Sequence, residues 1–327
     1  MKILVRLPNW LGDMVMSAGV MHQLPYFFPG AEISVIAKKG IHELLEFFPA
    51  TQHQFIFNKE TYPGLKGLWQ FGRTTRQTEK FDLFISLPDS FSSALMGYAT
   101  GAAHRTGYKK EGRSLLLTHS FNKPKGLHRV EEYIRLLELY TQKKNPSAKV
   151  FLQHAFTKQD HLVVNINSEA SSRRLTPAKA VEIINAIRDV YDNRIILIGG
   201  KNEKVFVDNV FSQLRTTNGI ESMAGQTSLK QLCQVLASAQ WMLSTDSGPA
   251  HLSNALGTKT IVLFGAGNEN NTAPYNKEAV KTIRLGKLSC EPCTRNTCVQ
   301  FGTPQCLELL EVNDILSAVM QSKNYGN

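Results

Sequence analysis

Short apolar runs of strand length alternate along this chain with segments in which apolar residues recur at helical spacing. Apolar strands separated by helices are typical of parallel sheets that helices cover on both faces. In the first half, the pattern predicts strands at 3–7, 33–37 and 83–87, and helices at 14–23, 41–48, 91–100 and 130–140.

A polar segment at 142–149, which contains Pro146, is typical of a linker, and the alternation restarts after it. Strands are predicted at 162–166, 194–198, 241–244 and 261–264, and helices at 177–191, 203–214, 229–237, 250–255 and 313–321, the last with Asn313 as its cap. We therefore expect two Rossmann-like, doubly wound α/β domains, 1–150 and 151–327, with the option that the final helix packs back on the first. Ligands of such sheets bind beyond the carboxyl ends of the strands.

Charge adds an asymmetry to this picture. The chain has 37 basic and 27 acidic residues, and residues 1–150 hold 20 and 12 of them. A basic first domain indicates an anionic partner there, or serves solubility alone. No block of like charges is long enough for a nucleic-acid tail, so we expect no nucleic-acid partner. No apolar run approaches the roughly 20 residues of a spanning helix, and the N-terminus lacks a signal-peptide pattern. We therefore expect a cytoplasmic protein, with peripheral attachment to the inner membrane as an option.

A polar turn at residues 9–13 joins the first predicted strand to the first predicted helix. Gly12 permits a tight turn, and Asp13 falls where the helix starts. Asp13 is either a helix cap with no further role or a general base that takes the proton of an attacking sugar hydroxyl. The missing G-x-G-x-x-G motif argues against a dinucleotide oxidoreductase.

A second strand-to-helix turn contains Asp246, Ser247, Gly248 and Pro249, with His251 one turn into the helix. Asp246 or Ser247 would cap this helix, and its exposed N–H groups and dipole attract anions. A diphosphate leaving group fits such a site, with His251 as a further donor. The alternative is an ordinary cap and a packed histidine.

Three other segments follow strands and carry candidate donor-binding residues. Arg173 and Arg174 suit phosphate contacts, or form a solvated basic loop. Glu203 suits ribose hydroxyls, or merely favours the first turn of its helix. Met223 precedes a helix and would frame a base pocket.

Four cysteines cluster near the C-terminus, at Cys290, Cys293, Cys298 and Cys306. Four thiolates can form a tetrahedral zinc site, although this spacing is not that of a standard zinc ribbon. Reduced or redox-labile thiols are the alternative, and we expect neither a catalytic metal nor a cofactor.

In this order, the motifs resemble those of glycosyltransferase family 9, the ADP-heptose:lipopolysaccharide heptosyltransferases, and most of all the heptosyltransferase II branch. The resemblance covers nearly the whole chain. It rests on six stretches of the sequence, at 1–17, 112–117, 128–134, 223–229, 246–251 and 290–306.

This resemblance implies a GT-B architecture, in which an inter-domain cleft separates an acceptor-binding first domain from a nucleotide-sugar-binding second domain. It implies inverting, metal-independent transfer of heptose from an ADP-sugar to the lipid A–core acceptor, at the inner membrane face. Other nucleotide sugars, or binding without turnover, are the alternatives. By position, Asp13 matches the catalytic base. The acceptor-binding candidates are Asn9, Trp10 and Gly12. The donor-binding candidates are Arg173, Arg174, Glu203, Met223, Asp246, Ser247, Gly248 and His251.

Overall fold

The computed structural model of the chain describes residues 1–144 and 148–323. Its internal contacts divide the chain into two compact units, Met1–Gln153 and His154–Asn327. Part of the predicted linker at 142–149, residues 145–147, lies outside the described residues.

The first unit is built on a six-stranded sheet in which every strand pair is parallel. Its strands are β1 Lys2–Arg6, β2 Glu32–Lys38, β3 Gln54–Phe57, β4 Leu83–Ser86, β5 His104–Tyr108 and β6 His119–Phe121. They follow the order β3-β2-β1-β4-β5-β6, so the order reverses between β1 and β4. The central strand β1 is apolar because both of its faces are covered, and Ile3, Leu4 and Val5 are fully buried.

Within its described residues, the first unit has four α-helices. They are α1 Leu11–Phe27, α2 Gly64–Thr78, α3 Phe91–Ala99 and α4 Arg129–Thr141. The helix predicted at 41–48 is a 3-10 helix, Ile41–Phe47. Helix α1 begins at Leu11 with Trp10 in the cap position, so the expectation that Asp13 caps it is wrong: Asp13 lies inside the first turn.

The second unit repeats the arrangement with another wholly parallel sheet. Its strands are β7 His161–Asn165, β8 Arg194–Leu197, β9 Ile220–Ser222, β10 Trp241–Thr245, β11 Lys259–Phe264 and β12 Val280–Arg284. Their order is β12-β11-β10-β7-β8-β9, with the reversal between β7 and β10. The two predicted Rossmann-like sheets are therefore confirmed.

The helices of the second unit are α5 Pro177–Val190, α6 Lys204–Ser212, α7 Leu229–Ser238, α8 Gly248–Ala255, α9 Glu269–Thr272, α10 Gln305–Glu308 and α11 Val312–Lys323. Helix α11 places Ile315, Ala318 and Val319 in the core of this unit. It starts at Val312, so Asn313 is not its cap.

The sequence pattern missed the strands β3, β5, β6, β9 and β12 and the helices α2, α9 and α10. β6 and β9 have three residues each, and β5 carries polar side chains and a glycine, so no long apolar run marks these three strands. Within the described residues, no helix is long and apolar enough to cross a bilayer.

Candidate active site

In the first unit, the candidate base lies at the point where the strand order reverses. Asp13 follows β1, and Asp89 follows the neighbouring strand β4. Ligands of doubly wound sheets bind outside the carboxyl ends of the strands at such a point. Both carboxylates therefore stand where a substrate is expected.

Asp13 is held by a cation that the sequence analysis did not select. Arg129, the first residue of α4, places its Nε 3.5 Å from Asp13 Oδ1 and its Nη1 3.0 Å from Glu132 Oε2. Burial raises the pKa of Asp13, and the positive charges of Arg129 and Lys123 oppose that rise. The Asp89 carboxylate adds to it. Asp13 thus combines the raised pKa of a general base with a cation that favours its ionised form.

Further charged groups complete this cluster. Lys123 Nζ lies 3.3 Å from Asp89 and 3.2 Å from Glu132, and Lys110 Nζ lies 3.8 Å from Asp89. The fully buried Arg113 donates to Pro88 O at 2.6 Å and to Ser86 Oγ at 2.7 Å, which fixes the chain just before Asp89. The cations of this cluster suit an acceptor that carries negative charge.

Two candidate acceptor residues, Asn9 and Trp10, lie beside Asp13 on the turn that precedes α1. Arg6 is buried at the end of β1 and donates to Asn9 Oδ1 and to the carbonyl oxygen of Leu7. Burial lowers the pKa of Arg6 to about 10. Trp10 is 60% exposed, so its indole is open to a ligand. Gly12 lies in the first turn of α1, next to Asp13.

In the second unit, the donor candidates also gather at a reversal of strand order, after β7 and β10. Asn165, at the end of β7, donates to Ser247 Oγ at 2.8 Å and to Ser244 Oγ at 3.1 Å. The Ser247 hydroxyl donates to Thr245 O at 3.1 Å. Ser247 occupies the cap position of α8, but no side chain caps this helix. Pro249 has no N–H, and Ala250 N donates to Ser247 O at 3.2 Å, so Gly248 supplies the first-turn N–H group for an anion.

Asp246 does not cap α8 either, because its side chain turns toward a cation. Its carboxylate is buried, and Oδ2 lies 3.4 Å from Arg173 Nη1. Burial raises the pKa of Asp246, whereas Arg173 and Arg284 act in the opposite direction. The structure thus brings Asp246 and Arg173 together at the start of α8, while His251 lies buried one turn further on.

The loop after β11 closes over Asp246. A Cβ atom at Gly267 would come within 2.0 Å of Asp246 Oδ2, so any other residue there would displace that carboxylate. Arg284 fixes this loop by donating to Gly265 O at 2.7 Å and to Glu269 Oε1 at 2.8 Å. Arg284 is a second cation that the sequence analysis missed, since it lies at the end of an unpredicted strand.

Arg174, the other arginine of this pair, packs on an aromatic ring. Its guanidinium carbon lies 5.0 Å from the centre of the Phe206 ring. Glu203 accepts a hydrogen bond from Gly200 N at 2.7 Å, which is the local role in a first helical turn that the sequence left open. The segment of Met223 lies beside that of Glu203, because Gly225 N donates to Gly199 O at 2.8 Å.

The cysteine-rich segment supports the loop of Arg173. Ser172 donates to Arg295 O at 2.5 Å through its hydroxyl and to Asn296 O at 3.2 Å through its amide. All four cysteines of this segment line one small cavity and form no disulfide. Across the described residues, no group of three or more metal-ligating side chains is arranged to hold an ion. The zinc site stays a hypothesis without geometric support.

Two parallel doubly wound sheets in succession, each with its polar groups at the reversal of strand order, make up the GT-B architecture. Escherichia coli ADP-heptose lipopolysaccharide heptosyltransferase II has the same fold, with a TM-score of 0.83, 24% identity and 98% of both chains covered. The model of glycosyltransferase family 9 (heptosyltransferase) matches residues 68–302. The chain belongs to this family, and it is a glycosyltransferase.

Curated relatives match over most of their length. Lipooligosaccharide heptosyltransferase 2 of Campylobacter jejuni is 25% identical over 332 residues, with 98% of both chains covered. Lipopolysaccharide heptosyltransferase 2 of E. coli is 26% identical over 313 residues, with 87% of this chain and 88% of the relative covered.

Proposed function

We propose that the chain transfers heptose from ADP-heptose to the inner core of lipopolysaccharide, with inversion at the anomeric carbon and without a metal. The observation that carries this proposal is the uncapped start of α8 beside Arg173 and Asp246. Charge grows on the diphosphate as the glycosidic bond breaks, and a helix start with a neighbouring guanidinium can hold that charge. We infer the identity of the donor sugar and of the acceptor from the names of the family and of its relatives.

In this mechanism, the acceptor hydroxyl attacks the anomeric carbon of the donor from the face opposite the diphosphate. Asp13 takes the hydroxyl proton as the new C–O bond forms, and ADP leaves with the electron pair of the broken bond. The transition state resembles an oxocarbenium ion, so the donor site must tolerate positive charge on the sugar as well as negative charge on phosphate. The buried carboxylate of Asp246 supplies a negative charge for the sugar, and the neighbouring Arg173 supplies a positive charge for the phosphate.

The acceptor is proposed to be the lipid A–core oligosaccharide on the cytoplasmic face of the inner membrane. The cations that surround Asp13 support an anionic acceptor. The donor candidates Glu203, Met223, Ser247, Gly248 and His251 keep their assignment as proposals. For Arg174, whose guanidinium packs on Phe206, we propose a structural role instead of a contact with the donor.

A donor screen tests this function. The purified chain is incubated with truncated lipopolysaccharide and with ADP-heptose, another ADP-sugar, a UDP-sugar or a GDP-sugar, and the product is analysed by mass spectrometry. We expect transfer from ADP-heptose alone. Transfer from a different nucleotide sugar would replace the proposed donor, and donor binding without transfer would indicate a binding protein.

A further inference from the structure

Helix α2 presents an outer face with exposed apolar side chains, and all the charged side chains of this helix are cations. Leu65 is 61% exposed and Trp69 is 40% exposed, and both lie on the same side of the helix as Arg73. Lys66 and Arg76 flank this stripe. No aspartate or glutamate occurs in Gly64–Thr78. Spacings of four residues align these side chains along one face.

The stripe continues onto the neighbouring helix α3. Tyr98 is 44% exposed, and its ring centre lies 5.8 Å from that of Trp69. Arg105 places its guanidinium carbon 5.2 Å from the centre of the Tyr98 ring. The aromatic–basic face, as we call it, comprises Leu65, Lys66, Trp69, Arg73, Arg76, Tyr98 and Arg105.

The rings of Trp69 and Tyr98 contact each other, but a large part of the apolar surface of this face stays exposed. The opposite side of α2 carries its packing residues, among them Leu68 and Phe71. Gly72 lies so close to α3 that a Cβ atom there would come within 2.6 Å of Met96 O. Helix α2 is thus fixed to α3 by its inner side, and the exposure of Leu65 and Trp69 has no structural benefit.

We propose that the aromatic–basic face docks the protein onto an anionic lipid bilayer. Tryptophan and tyrosine favour the headgroup region of bilayers, and a basic amphipathic helix binds anionic lipids in the plane of the interface. In the part of the chain that the structure describes, Lys66, Arg73 and Arg76 form no ion pair with a carboxylate. Their charges are available to lipid phosphates.

A second copy of the chain is a poorer partner for this face. A two-fold contact would set the cations of one copy against the same cations of the other, which repel each other. Nucleic acid would match the cations but would leave Leu65 and Trp69 without an apolar environment. A bilayer satisfies both parts of the face. This inference goes beyond the proposed transfer reaction and is measured without donor or acceptor.

Vesicle co-sedimentation of the full chain tests the proposal. Vesicles of phosphatidylcholine are compared with vesicles that also contain phosphatidylglycerol. We expect binding to the anionic vesicles and much weaker binding to the neutral ones. Each cation removed should weaken binding about five-fold, so Lys66→Gln/Arg73→Gln should weaken it about 25-fold. Leu65→Ser/Trp69→Ser should weaken it by about ten-fold or more, since apolar area is lost from the interface.

Matched controls come from the second unit. Lys277→Gln/Lys287→Gln removes two cations, and Val205→Ser removes a side chain that is 82% exposed. Both controls should bind vesicles almost as the unaltered chain does. All variants should transfer sugar to a water-soluble truncated acceptor at the unaltered rate, because the face lies outside the catalytic groups.

Fluorescence supplies a second readout that does not depend on the polar variants being folded. Vesicles should shift the tryptophan emission to shorter wavelength, and Trp69→Phe should abolish most of that shift while retaining binding. Equal binding to neutral and anionic vesicles, or equal losses in the face variants and the controls, would overturn the proposal. So would a dimer that only the face variants dissociate, or tighter binding to DNA than to vesicles.

Discussion

Arg129 places its Nε 3.5 Å from Asp13 Oδ1, although the two residues lie on different helices and far apart in the sequence. Arg129 is held by Glu132, which also contacts Lys123. The carboxylate of Asp13 therefore stands in a network of charges and not alone at a helix start. Burial and the Asp89 carboxylate raise its pKa, and the neighbouring cations Arg129 and Lys123 lower it.

Asp13→Asn should reduce kcat by about 10²–10⁴-fold, because the amide cannot accept the proton of the acceptor hydroxyl. Donor affinity should change little, since the donor candidates lie on the second unit. Steady-state kinetics and calorimetric titration of ADP-heptose measure the two quantities. Full turnover in this variant would exclude Asp13 as the base.

The same substitution should raise stability at neutral pH. The folded state raises the pKa of Asp13 above its unfolded value, so the folded state binds the proton more tightly. The unfolding free energy contributed by this group therefore falls as pH rises between the two pKa values, and the deficit remains above them. Asp13→Asn removes this loss of unfolding free energy, because the amide carries no charge. Melting curves should show a higher Tm than that of the unaltered chain at pH 7, with the difference shrinking toward acid pH.

Arg129→Gln should shift the acidic limb of the activity profile toward higher pH. Loss of the neighbouring cation raises the pKa of Asp13 further, so a higher pH is needed to ionise the base. The groups that face Asp13 and remain are Lys123, Asp89, Glu132 and Tyr133. Profiles of kcat/KM against pH make the measurement.

Arg135→Gln is the matched control for Arg129→Gln. Arg135 is also on α4, where its guanidinium lies 2.9 Å from Glu138. Its removal should leave the profile in place. A shift of equal size in both variants would mean that helix α4, and not the Arg129 charge, positions Asp13.

The sequence identifies the candidate carboxylates that follow strands better than it identifies the cations that contact them. Asp13 and Asp246 are visible because each lies in a polar turn between an apolar strand and a helix. Arg129 reaches Asp13, and Arg284 reaches the loop over Asp246, only through tertiary structure. Nothing in the local sequence distinguishes them from surface arginines. The fragment His128-Arg129 was part of the family resemblance, which was the one available signal.

Helix α2 shows a different limit. Its glycines, Gly64, Gly67 and Gly72, have low helix propensity, so the segment lacks a helical signal. Gly67 and Gly72 are needed because the chain passes close to the backbone of Tyr62 and to α3. Close packing therefore overrides local propensity, and sequence reasoning without coordinates has no access to that packing.

Arg173 and Arg174 are adjacent in sequence, and the structure predicts opposite results for their removal. Arg173 contacts the buried carboxylate of Asp246, whereas Arg174 stacks on Phe206. A charge-assisted hydrogen bond to phosphate contributes about 1.5–3 kcal/mol, so Arg173→Gln should weaken ADP-heptose binding about ten- to a hundred-fold. Arg173→Lys should retain part of the affinity, because the charge remains while the planar fork is lost.

Arg174→Gln should leave donor affinity nearly unchanged and lower the unfolding free energy by about 0.5–1 kcal/mol, the typical contribution of an exposed cation–π contact. Calorimetric titration with ADP-heptose and with ADP, together with melting curves, separates the two effects. Equal losses of affinity in both glutamine variants would show that Arg174 leaves Phe206 to bind the donor. Loss of affinity in Arg174→Gln alone would show that Arg173 does not bind the diphosphate, and it would overturn the donor assignment that rests on Arg173 and Asp246.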